Sequence, residues 1–139
     1  MGFEVFTQCF THGERDGIAI AEVRRAFGSE LEVEDQDWWK VVYDEKNHCS
    51  ILVGFLLPDR QLVHSLTVDR PCSDRRLWES LLALLRLGHV VLYFPAEKPP
   101  LLVADASVSQ HLPKSMVESM GAVTCVHSAE DIIDAIKRA

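Results

Sequence analysis

The stretch DWWKVVYDEKNHCSILVGFLLPDRQLVHSLTV, residues 37–68, decides the fold. It holds three runs rich in β-branched, aromatic and aliphatic residues: about Trp38 to Tyr43, Cys49 to Leu57 and Leu62 to Val68. The connections DEKN (44–47) and PDRQ (58–61) are polar and of hairpin length. The pattern predicts an antiparallel three-strand meander. The middle run is apolar on both faces, so it is expected to be central and covered on both sides.

Upstream, Phe3 to Phe10 reads as a strand and THGERDG as a turn-rich break. Ile20, Val23 and Phe27 then recur at helical spacing, with Gly28 placed to end the helix. The acidic segment that follows reads as a loop. Downstream, Ser73 to Leu87 carries a stripe of Leu77, Leu81, Leu84 and Leu85 with Arg75, Glu79 and Arg86 opposite, and Gly88 stops it. Short strands at VVLYF, LLVAD and VTCV alternate with a helix from Pro113 to Gly121 and a final helix capped by Ser128. The expectation is a single α+β domain over residues 1–139: a mixed, mainly antiparallel sheet, the meander central, packed by helices. The helix–strand alternation of the second half keeps an α/β sheet as the alternative.

A chain of 139 residues that is 47% hydrophobic suits one domain with a core of its own. No apolar run approaches the roughly 18–20 residues that span a bilayer. The first residues lack the features of a signal peptide, and Met1-Gly2 followed by Thr7 falls outside the myristoylation pattern. A cytoplasmic, unanchored protein is expected. Cys9, Cys49, Cys72 and Cys125 form no C-x-x-C pair, which argues for reduced thiols rather than a metal knuckle or a disulfide framework. Net charge is −7, concentrated where Glu30, Glu32, Glu34, Asp35, Asp37, Asp44 and Glu45 face a lone Lys40. Such a surface repels nucleic acid and anionic lipid and attracts basic surfaces.

Two places invite a functional reading. RPCSDRRLW (70–78) sets Cys72 among three arginines at a helix start, where orphan N–H groups and the dipole favour a thiolate. Yet the arginine that a phosphatase loop needs six positions on is replaced by Trp78, and no glycine forms a phosphate cradle. The plainer reading has Pro71 stopping the strand, Ser73 or Cys72 capping the helix and the arginines in solvent. The second place is the acidic run with Trp38 and Trp39, one facing the core and the other free to face out. An exposed tryptophan beside carboxylates makes an anchor with steering charge. The six histidines show no metal-ligand spacing and read as structural. No P-loop, G-x-S-x-G or dinucleotide fingerprint occurs, so no cofactor is expected.

The phrases DGIAIAEVRRAFG, WWKVVYDEKNHCSILV, LTVDRPCSDRRLWESLLALLRLG and HLPKSMVESMG resemble small single-domain bacterial proteins of unassigned function. In its acidic, compact character the chain is similar to immunity proteins, which bind and block a bacterial toxin. That resemblance implies a non-catalytic binding module with a basic protein partner, met by Glu30, Glu32, Glu34, Asp35, Asp37 and Trp38 or Trp39. A small enzyme with a Cys72 thiolate is the alternative. A third reading pairs the PAEKPPLLV edge in a homodimer, with Pro99 and Pro100 blunting that edge.

Overall fold

The computed structural model describes residues 3–139; Met1 and Gly2, on which the myristoylation reading rests, lie outside the described residues. The strands are β1 (Glu4–Thr11), β2 (Glu14–Arg15), β3 (Ile18–Ala19), β4 (Leu31–Val33), β5 (Trp38–Val42), β6 (His48–Phe55), β7 (Leu62–Asp69), β8 (Val90–Tyr93), β9 (Leu101–Val103) and β10 (Val123–Cys125). The helices are α1 (Ile20–Phe27), α2 (Arg75–Leu85), α3 (Lys114–Ser119) and α4 (Ala129–Arg138). The strands form one sheet in the order β10-β9-β8-β1-β7-β6-β5-β4, with β2 paired to β1 and β3 to β7. Every pairing is antiparallel except β9–β10. The fold is therefore α+β with a mixed, mostly antiparallel open sheet, and the single parallel pair does not make it the α/β alternative.

Strand alternation sorts the side chains onto two faces. Val5 of β1, Val41 of β5, Ile51 of β6 and Val68 of β7 point to one face and meet Val23 and Phe27 of α1, Leu81 and Leu85 of α2 and Ile132 of α4. The opposite face has a smaller core: Phe10, Val91, Leu101 and Val103 lie under Val108 of the 3₁₀ segment Ala106–His111 and Leu112 just after it. That cover reaches the β8–β10 end of the sheet and stops there.

Four expectations need correction. The middle strand β6 is not covered on both sides: Cys49, Ile51, Val53 and Phe55 are buried, but Leu52 between them is 39% exposed. The cover on that side packs against Phe10, Val91, Leu101 and Val103, toward the β8–β10 end, and leaves Leu52 in contact with water. The acidic segment is not all loop. Leu31–Val33 pairs with β5, because Leu31 faces the helices opposite Val41 and draws its acidic neighbour Glu32 into the ladder. The cap of α2 is neither Ser73 nor Cys72 but Asp74, whose carboxylate accepts from the Arg76 N–H at 2.9 Å. Nor is Leu101–Val103 a free edge, since β8 flanks it on one side and β10 on the other.

The α2 cap makes a direct prediction. Asp74→Ala is expected to lower stability by about 1 kcal/mol, the usual worth of an N-cap, while Ser73→Ala changes little. Urea unfolding of both variants checks it; equal losses would mean the cap is shared.

Candidate functional site

The uncovered face assembles a surface that no single segment of sequence displays. Tyr93 of β8 is registered against Phe6 of β1, Phe6 against Thr67 of β7, Thr67 against Leu52 of β6, and Leu52 against Trp38 of β5. One row thus crosses five strands with four apolar or aromatic side chains and the Thr67 methyl. Its Tyr93 end is seated: the ring stacks on Phe6 with centroids 5.3 Å apart, and its hydroxyl donates to Gln8 Oε1 at 2.9 Å. Its other end stands in solvent, with Trp38 36% exposed beside Leu52.

Two polar rows flank it. Glu32, Lys40, Ser50, Asp69 and Glu4 run along one side, and Gly54, Ser65 and Gln8 along the other. Gly54 keeps the face low: a Cβ there would come within 2.2 Å of Ser65 Oγ. The apolar row thus runs between a charged row on one side and small or polar residues on the other.

The predicted residues separate into different jobs. Trp39 is 1% exposed and belongs to the helix-side core, so of the two tryptophans only Trp38 is presented. Asp35 is the frame of the β4–β5 turn: its Oδ1 accepts the backbone N–H groups of Asp37 and Trp38 at 2.8 and 2.9 Å. Asp37 is paired with Arg60 at 2.8 Å. Glu30 takes the Ser29 hydroxyl at 3.2 Å and lies beside α1, away from Trp38. Glu32 and Glu34 are exposed and form no ion pair among the described residues. The carboxylates left without an ion pair next to Trp38 are therefore theirs, and Asp35 and Asp37 hold the turn in shape.

Cys72 stands elsewhere, half-buried beside the start of α2 and in a groove against α4. Two of its three arginine neighbours are engaged: Arg75 with Glu130, and Arg76 with Asp74 and the Tyr43 ring, 4.8 Å from its centroid.

Sequence reasoning missed two groupings. The row Phe6–Leu52–Thr67–Tyr93 depends on register between strands distant in the chain. The second is a histidine cluster that ties the β1–β2 turn to the 3₁₀ segment. His111 stacks on His89 at 3.6 Å, and the His12 ring lies 4.8 Å away. The His12 backbone N–H donates to His111 Nδ1 at 3.1 Å. Thr11 Oγ1 gives its hydrogen to Asp16 Oδ2 at 2.6 Å, so it receives the Nδ1–H of His89 at 3.1 Å. Stacked rings cannot aim their nitrogens at one ion, and among the described residues no three metal-ligating groups are gathered.

What the geometry defines is an α+β domain with three helices on one side of its sheet and a bare, aromatic-striped strip on the other. No family model, curated protein or solved structure matches the chain. No helix among the described residues is long and apolar enough to cross a membrane.

Proposed function

We propose that the protein is a non-catalytic binding module whose bare sheet face docks a basic protein, in an immunity-like or adaptor role. The observation that carries this reading is the exposed end of the row, Trp38 beside Leu52, next to carboxylates without ion-pair partners. Tryptophan is among the residue types most often found to dominate binding energy at an interface. Around the row, Glu4, Glu32, Glu34 and Asp69 outnumber Lys40, which favours a partner of positive charge. The alternative, catalysis by a Cys72 thiolate, has the groove in its favour. Against it stands the carboxylate of Asp74, which occupies the helix start that would have served the sulfur.

The test is affinity capture at low salt with wild type, Trp38→Ala and the pair Glu32→Lys, Glu34→Lys, followed by binding kinetics on any protein retained. Trp38→Ala is expected to weaken binding at least tenfold, as a hot-spot loss of about 2 kcal/mol requires. The charge reversals are expected to slow association and flatten its dependence on salt. A partner held equally by all three proteins binds elsewhere and ends the proposal for this face.

A further inference from the structure

Cys49 and Cys72 are separated in sequence but share one place in the fold. The β6–β7 ladder ends with Ser50 opposite Asp69, so Cys49 lies one residue past the last pair, on the helix side. The chain leaves β7 at Arg70, whose φ of 49° folds it back over this end of the sheet. Cys72 arrives two residues later and packs against the core cluster that contains Cys49. Both residues thus lie at the same end of the sheet, on its helix side, and Cys72 is among the groups that perturb the Cys49 thiol.

Their surroundings differ in a way that assigns roles. Cys49 is 5% exposed, and burial pushes its thiol up to about 12, so it stays protonated. Cys72 lines a groove of about 480 Å³ walled by Phe3, Pro71, Trp78, Ile133 and Ile136. An oxidant from solvent meets Cys72 first, and Cys49 belongs to the core cluster on which Cys72 packs. Of the other thiols, Cys9 is buried on β1 and Cys125 lies on the edge strand β10, each on a different element.

We propose that Cys49 and Cys72 form an oxidisable dithiol, a modification site at which a hydroperoxide closes a disulfide between β6 and the entry to α2. The Cys72 thiol gives up its proton as its sulfur attacks one peroxide oxygen; the O–O bond breaks, and the departing hydroxide or alkoxide takes that proton, leaving a sulfenic acid and water (or an alcohol, from an organic hydroperoxide). Cys49 sulfur then attacks the Cys72 sulfur; the S–O bond breaks, and the departing hydroxide takes the Cys49 proton as water. The two thiols lose two electrons and two protons, and the peroxide is reduced by the same number. This site lies across the sheet from the bare face and stands or falls separately from the binding reading.

The experiment treats the folded, fully reduced chain with one equivalent of hydrogen peroxide, alkylates remaining thiols, and maps peptides by mass spectrometry without reduction. The expected product is one intramolecular Cys49–Cys72 link, lighter by two hydrogens and reversed by dithiothreitol, with two of the four thiols still alkylated. Cys72→Ser is expected to abolish the link, and Cys49→Ser to leave a Cys72 sulfenic acid that dimedone traps. Replacing the buried Cys49 puts folding at risk, so the wild-type map and Cys72→Ser are sufficient on their own. Cys72 carried to sulfinic acid, or joined to Cys125 of a second molecule while Cys49 remains a free thiol, overturns the proposal.

Discussion

Trp39→Ala is expected to remove about 3–5 kcal/mol of folding stability, the range for deleting a large buried aromatic. Its neighbour Trp38→Ala is expected to cost about 1 kcal/mol, close to a surface change. The two residues share chemistry and sequence context and differ only in the face they occupy. Trp39 sits opposite Ile51 and Val33, is 1% exposed, and carries the Arg24 guanidinium of α1 over its ring at 5.6 Å. Removing it opens a void between sheet and helix that close-packed neighbours fill only in part. A domain stable by some 5–15 kcal/mol loses a large share of that. Trp38 projects to the bare face, where water already meets the ring. Urea midpoints of both variants decide the matter. Comparable losses would show that both faces are packed, and the proposed docking surface would disappear with that result.

Acidification from pH 7.5 to 5 is expected to lower stability, and His64 and His111 are the cause. Burial holds the His64 pKa below its ordinary 6.5; Arg15 adds to this, while the Asp16 carbonyl, which accepts Nδ1–H at 2.9 Å, opposes it. His111 is also held below 6.5, by desolvation first and then by the charges of His89 and His12. Its Nδ1 already accepts the His12 N–H, so a proton there must break the contact that fastens the β1–β2 turn. A histidine whose folded pKa is depressed contributes stability that is complete above 6.5 and is lost as pH falls through the folded value. Asp16 adds a second, lower window. The Thr11 hydroxyl and then the Gly17 N–H hold its pKa below 3.8, so its contribution goes only in stronger acid. Relief of the −7 net charge on approach to the pI of 5.3 works in the opposite direction. Comparison with variants removes that common effect. In His111→Asn the amide oxygen replaces Nδ1 as acceptor, and in His64→Asn the amide nitrogen replaces Nδ1 as donor. The double variant is expected to show a shallower acid-side slope in urea midpoint against pH. An unchanged slope would clear both histidines.

Most elements are legible in the sequence because their signals are local. The stripe of α2 and the cap of α4 follow from side chains three and four residues apart; Ser128 does accept from the Asp131 N–H, at 3.2 Å. Strands β5, β6 and β7 fall within a residue or two of the runs that predict them. The short pieces β2, β3 and Ala106–His111 are not legible, since two-residue strands and 3₁₀ turns arise from tertiary pairing rather than pattern. The α2 cap lies one or two residues beyond its expected place because Cys72, Ser73 and Asp74 stand in a row. Asp74 alone presents an oxygen to the Arg76 N–H once the chain has turned at Arg70.

By itself, then, the sequence determined the α+β character, the acidic balance and the placing of two tryptophans beside a run of carboxylates, all properties of neighbouring residues. Only the tertiary structure decided which tryptophan faces out, which carboxylates are free, and that Phe6, Leu52, Thr67 and Tyr93 join Trp38 in one row. It also decided that Cys49 and Cys72 share the helix-side core at one end of the sheet. These depend on register between strands and on which face of the sheet the helices cover. A shift of one residue in pairing would invert every one of them.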